Sequence, residues 1–153
     1  KANRHMNLNL PPIQPRLRKL QSGLMQIHDP LRGKFVALTP EEWVRQHFVR
    51  FLADHRAYPE CRMANEVGIK HNGCQRRCDT IVYDNAAQPL AIVEYKAPEV
   101  DITAVTFDQI VRYNMVLGVR WLMVSNGLKH YCCRIDGEKY AFLKDIPKYE
   151  ELT

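Results

Sequence analysis

Asp79, Glu94 and Lys96 are the residues whose types and spacing suit hydrolytic chemistry on a phosphodiester. Glu94-Tyr95-Lys96 closes the apolar run Leu90-Ala91-Ile92-Val93 and lies fifteen residues after Asp79. Side chains alternate along a strand, so Glu94 and Lys96 share a face that Tyr95 does not. An apolar strand does not ordinarily aim a carboxylate and an ammonium at one spot without a use for them. Phosphodiester cleavage needs neutralised phosphate charge, an activated water and a stabilised leaving oxygen. One or two magnesium ions held by carboxylates supply most of this. Asp79 and Glu94 are suitable hard ligands, and the Tyr95 backbone carbonyl between Glu94 and Lys96 is a third. Lys96 would orient or help deprotonate the water, or stabilise the transition-state charge. Glu66, thirteen residues before Asp79, is a further acid for the same place.

These residues must be positioned by neighbouring strands. Met63 to Lys70, Asp79 to Asp84 and Leu90 to Lys96 read as three strands, the last stopped by Pro98. Opposed residues of an antiparallel pair share a face, so Asp79 must oppose Glu94 or Lys96 for the three groups to converge. A helix is expected from about Val105 to Leu117, with Gly118 as its stop. Gln109 and Tyr113 are four apart on it and share a face, from which they would position the water, the phosphate or Lys96. Each also reads, taken singly, as a surface or packing residue.

Upstream, residues 7–16 are proline-rich, and 1–16 are expected to be an extended arm. Leu24 to Ile27 and Lys34 to Leu38 flank a turn at Asp29-Pro30-Leu31-Arg32-Gly33, which predicts a β-hairpin. Thr39-Pro40-Glu41-Glu42 starts a helix with Thr39 as N-cap and Glu42 closing a capping box. Val44, Phe48, Phe51 and Leu52 recur at helical spacing, and Arg45, Gln46 and Arg50 lie off that stripe. Downstream, Trp121 to Ser125, Lys129 to Ile135 and Tyr140 to Leu143 form a meander turned at Asn126-Gly127 and Asp136-Gly137. The order predicts one α/β domain over 1–153, three-layered around a central mixed sheet.

Composition sets bounds on partners. The 153 residues carry a net charge of +5 with 46% hydrophobic residues, ordinary for one folded domain and compatible with a polyanionic partner. No apolar run approaches the ~20 residues of a membrane span, and the first residues hold no apolar signal core. The expected location is cytoplasmic, with no membrane partner. Five cysteines, an odd number, lack the spacing of a disulfide framework. His71, Cys74 and Cys78, completed by His130 and Cys132, form the one zinc-like alternative; buried free thiols are the expectation. No base-reading element such as a helix-turn-helix or zinc finger is present, so little unaided sequence specificity is expected.

The ordered set Glu66…Asp79…Glu94-Tyr95-Lys96…Gln109-Ile110-Val111-Arg112-Tyr113 resembles the PD-(D/E)xK nuclease superfamily in its RecB-like branch. More closely, the chain is similar to the N-terminal nuclease domain of type I restriction enzyme R subunits. Arg77-Cys78-Asp79, Val93 to Pro98, Phe107 to Ile110, Arg112-Tyr113-Asn114, Ser125-Asn126-Gly127, His130 to Cys133 and Leu38 to His47 carry that likeness. The resemblance implies a restriction-endonuclease-like fold and a Mg²⁺- or Mn²⁺-dependent endonuclease acting on DNA. Asp79 and Glu94 would be the metal ligands and Lys96 the catalytic lysine. Gln109 and Tyr113 would be a supporting pair, and Glu66 the first acid. Cys78 stands where the pattern often has proline. No Gly-x4-Gly-Lys-Ser/Thr phosphate loop occurs, so translocation and sequence recognition would come from other restriction-modification subunits or a helicase partner. Cutting both strands would favour a homodimer. The alternative is a nuclease fold that binds nucleic acid or docks a partner without cutting.

Overall fold

The computed structural model describes residues 7–153, so the first six residues of the expected arm lie outside the described residues. Residues 7–16 contain no helix or strand, but they are held down: Leu8 and Leu10 pack on the core and the Asn9 N–H donates to the Gly127 carbonyl at 2.8 Å. Gly127 sits at φ +85°, and Leu8 lies where a Cβ there would stand, so both backbone conformation and space require glycine.

The expected hairpin is a three-stranded antiparallel sheet of β1 (Leu17–Lys19), β2 (Met25–Asp29) and β3 (Lys34–Ala37). Three-residue β1 has every side chain exposed and therefore no apolar alternation to betray it. Helix α1 (Pro40–His55) follows, with Thr39 Oγ1 accepting from the Glu42 N–H at 3.1 Å. The capping box is only half formed. Glu42 turns its carboxylate to Arg32, Arg45 and Gln46 instead of back to Thr39, because charged donors outbid one backbone N–H.

The second sheet has six strands in the order β4-β5-β6-β7-β8-β9: Met63–His71, Cys74–Tyr83, Pro89–Tyr95, Trp121–Ser125, His130–Asp136 and Lys139–Phe142. All neighbours are antiparallel except β6 and β7, which are joined through helix α2 (Ala104–Met115) as a parallel pair requires. Val44, Phe48 and Leu52 of α1 bury one face of the sheet against Val82, Val93, Tyr95 and Met123. Phe107, Ile110 and Val111 of α2 bury the other against Ile81, Ile92, Leu122 and Val124. The expected α/β class and mixed central sheet are present, with the small sheet as a separate unit.

Strand β5 begins five residues earlier than its apolar content suggested, since Cys74 to Cys78 pair with β4 as a protruding hairpin. That hairpin turns over within its own ladder. Met63 lies in the α1-side core and Ile69 in the α2-side core, although both are odd-numbered. Val82 and Cys78 are split between the two cores in the same way. The switch falls at Glu66 and Asp79, the rung missing between Asn65↔Thr80 and Val67↔Cys78. Glu66 takes it up with φ +57°, a left-handed conformation costing a non-glycine residue about 1–3 kcal/mol.

Candidate active site

The face switch places the two principal candidate acids, Asp79 and Glu94, together. The β5–β6 ladder runs to Thr80↔Val93, and one further step aligns Asp79 with Glu94, one of the two registers required for convergence. Asp79 ends the ladder chemically: its Oδ2 accepts from the Tyr95 N–H at 2.9 Å, taking the place of a strand carbonyl. Glu94 is on the α2 side of β6, since Ile92 two residues earlier is in that core and Tyr95 is in the other. Lys96 Nζ stands 3.7 Å from Glu94 Oε2, with side chains 37% and 23% exposed. The Lys96 backbone is fixed by its N–H to the Ser125 carbonyl at 2.9 Å.

Both acids hold their protons more tightly than a free carboxyl. Burial raises Asp79, and the Glu66 charge adds to it, against the Tyr95 N–H, Arg45 and Lys96. Burial likewise raises Glu94, with the Asp79 charge adding and Lys96 and the Asn114 amide opposing. Buried carboxylates that each feel a neighbouring negative charge form an arrangement that a cation relieves.

Glu66 is nearby but differently employed. Its Oε1 accepts from Arg45 Nη1 at 2.8 Å and its Oε2 from Arg77 Nε at 2.9 Å, so both oxygens are spoken for. Although burial pushes it up, these two guanidiniums hold its pKa below the usual carboxylate value. Arg45 lay off the apolar stripe, yet it is buried. The same Nη1 also donates to the Asp79 carbonyl at 2.8 Å, and Nε and Nη2 grip Glu42 at 2.9 and 2.7 Å. The chain extends through Arg32 to Asp29. Asp29 accepts from Asn65 Nδ2 at 2.9 Å, and Asn65 Oδ1 accepts from Thr80 Oγ1 at 2.6 Å. A buried polar network thus joins the small sheet to the residue beside Asp79. The sequence signal for Arg45 was an arginine at i+3 from Glu42 in a helix whose apolar face is otherwise complete.

Gln109 and Tyr113 are on the exposed side of α2. Tyr113 is 55% exposed with the Arg76 guanidinium 4.5 Å above its ring, and neither residue hydrogen-bonds to Glu94 or Lys96 among the described residues. The α2 side chain that bears on Glu94 is that of buried Asn114, one position beyond Tyr113; its Nδ2 donates to the Ile110 carbonyl at 2.8 Å, and its amide lowers the Glu94 pKa. Tyr95 points its side chain away, its hydroxyl 2.9 Å from Thr80 Oγ1.

Among the described residues, no group of three His, Cys, Asp or Glu side chains is placed to hold a metal, so the zinc alternative has no geometric support. All five cysteines are free. Asp79 and Glu94 are themselves hard oxygen donors, and the buried Cys78 thiol lies close enough to feel both of their charges. The described residues contain no helix long and apolar enough to cross a membrane.

A mixed six-stranded sheet between two helices, with acids and a lysine at the end of its central strands, is a nuclease-like α/β architecture. The chain belongs to the family of the type I restriction enzyme R protein N terminus, whose model matches residues 40–147. It is therefore a restriction-system nuclease-like domain. A comparison with curated proteins found no match.

Proposed function

We propose that the chain is a PD-(D/E)xK-type endonuclease domain that hydrolyses DNA phosphodiester bonds with Mg²⁺ or Mn²⁺. The observation that carries this reading is the pairing of Asp79 and Glu94, two carboxylates raised by burial and by a neighbouring acid's charge, Glu66 for Asp79 and Asp79 for Glu94, with Lys96 3.7 Å from Glu94. Asp79, Glu94 and the Tyr95 carbonyl would hold the ion, which supplies charge neutralisation at the phosphate and acidifies a bound water. The Tyr95 N–H fixes Asp79 Oδ2 and leaves Oδ1 free to face the ion. The Lys96 ammonium orients the attacking water or stabilises negative charge gathering on the phosphate. Glu66 acts through Arg45 in setting the Asp79 backbone and is not itself a ligand. Gln109 and Tyr113 serve on the exposed face of α2, where substrate would approach. Translocation and sequence choice are left to other subunits or a helicase, and a homodimer would cut both strands.

Plasmid cleavage with Mg²⁺ and with Mn²⁺, comparing wild type with Lys96→Ala, tests the reading. Loss of about 10²–10³-fold in rate with unchanged circular dichroism is expected. Equal cutting by both proteins would overturn it. The second reading, a non-catalytic binding module, is favoured by the engagement of Glu66 and the outward placement of Gln109 and Tyr113. It predicts salt-sensitive DNA binding by wild type without products.

A further inference from the structure

The positive charge of this protein is not spread over the nuclease-like core. Residues 40–153 contain fifteen Lys and Arg against sixteen Asp and Glu, a formal −1. Residues 7–39, before the family match begins, contain five against one, a formal +4. Of those five cations only Arg32 is bound to carboxylates; Arg16, Arg18, Lys19 and Lys34 are exposed. Three of them belong to or adjoin the strands: Arg18 and Lys19 in β1, and Lys34 opening β3. Arg18 and Arg16 lie 4.2 and 5.7 Å from the Phe35 ring centroid, and His28 meets that ring edge-on at 5.2 Å.

We infer that the small N-terminal sheet is a nucleic-acid-gripping platform, its exposed Arg16, Arg18, Lys19 and Lys34 contacting the phosphate backbone. Three observations point to a nucleic acid. The net positive charge that attracts a polyanion at long range resides in residues 7–39 and not in the core. Two of the four cations, Arg16 and Arg18, lie over one aromatic ring, an arrangement that holds guanidinium groups in place for phosphate and base contact. The sheet is also wired to the acid site: Asp29, at the end of β2, accepts from Asn65, which accepts from Thr80 beside Asp79. Substrate held on this platform would be registered against the Asp79–Glu94 rung. Exposed Leu20 and Leu24 in the β1–β2 turn offer a membrane surface too little apolar area for stable docking.

The inference deepens the nuclease reading by assigning a substrate-holding surface, and its test does not depend on cleavage. Fluorescence anisotropy of a labelled duplex with the full chain, without divalent metal, would be followed across a salt series. The proteins are wild type, the triple variant Arg16→Gln/Arg18→Gln/Lys19→Gln, and the charge-matched control Lys139→Gln/Lys144→Gln/Lys148→Gln. The first triple should lose about tenfold or more in affinity, and its slope of log K against log salt should fall by about 2–3, near 0.9 for each phosphate contact. The control should change affinity less than about twofold. Equal losses in both triples would show a bulk charge effect and overturn the inference, as would no loss in either. So would loss of binding to phosphatidylserine vesicles with duplex binding intact. A platform confirmed in a protein that never cuts DNA would leave this inference standing and remove the endonuclease.

Discussion

Two sets of carboxylates, linked through Arg45, have opposite fates in this protein. Asp29, Glu42 and Glu66 are threaded between Arg32, Arg45 and Arg77, and all three are acidified. Burial pushes each of them up, but charged and amide donors more than offset it. Asp79 and Glu94 are also raised by burial, and each feels the charge of a neighbouring acid. Their help is partial: Lys96 at 3.7 Å from Glu94, one backbone N–H to Asp79, and an Arg45 guanidinium that bonds the Asp79 carbonyl and not its carboxylate. What separates the sets is the placement of guanidinium groups, not depth in the fold. The first set contributes stability to the folded state; the second costs stability, which is the usual signature of groups kept for chemistry.

The sharpest way to break this contrast is through Arg45. Its side chain is 9% exposed and serves Glu42, Glu66 and the Asp79 carbonyl together. Arg45→Met would strand a buried carboxylate, so a loss of about 3–5 kcal/mol is expected, read as a lower urea midpoint at unchanged slope. Arg45→Lys should recover only part of it, because an ammonium cannot serve three acceptors with a planar fork. A loss under about 1 kcal/mol would mean the network is ornamental.

Glu94→Gln should move stability the other way. Removing one of two repelling acids is expected to gain about 1 kcal/mol at neutral pH without metal, while cleavage is lost. Because the folded pKa of Glu94 is raised, its protonated form stabilises the fold, and that contribution disappears as pH rises through the raised value. The advantage of Gln over Glu should therefore be small in mild acid and grow toward neutrality, measured by thermal melts across pH. Added Mg²⁺ should stabilise wild type and not the variant. A variant less stable than wild type at pH 7 would contradict the assignment of repulsion.

How much of this was legible in the sequence follows from the same physics. Strands β6 and β7, helix α1 and its Thr39 cap announce themselves through apolar periodicity and local capping chemistry, which short windows contain. The alignment of Asp79 with Glu94 was accessible from parity. Strand β1 was not, because its three side chains are all exposed. Nor was the face switch at Glu66, since nothing in an isolated Asn-Glu-Val predicts a left-handed residue held by a distant arginine. Arg45 and Gln46 lie off the apolar stripe, and their burial was not legible because helical spacing reports apolar faces and is silent about buried ion networks. Gln109 and Tyr113 share the face expected of them, and the structure turns that face outward, leaving Asn114 to meet Glu94.

The smallest expected effect separates burial from mere pairing. Arg77 bonds the same carboxylate as Arg45, at 2.9 Å against 2.8 Å, but its side chain is 71% exposed. Water and salt already screen it, so Arg77→Gln should cost less than about 1 kcal/mol. Glu66 is acidified in the fold, so what Arg77 adds is present above the ordinary carboxylate range and is lost as pH falls through the lowered value. The cost of Arg77→Gln, measured by urea unfolding, should therefore vanish in strong acid, and also near 1 M salt, where screening is short-ranged. If Arg77→Gln cost as much as Arg45→Met, distance alone would rule this cluster and the comparison between the two acid sets would fail. If it costs almost nothing, the stability resides in the buried fork of Arg45, and the arginine facing solvent is left free to meet a phosphate.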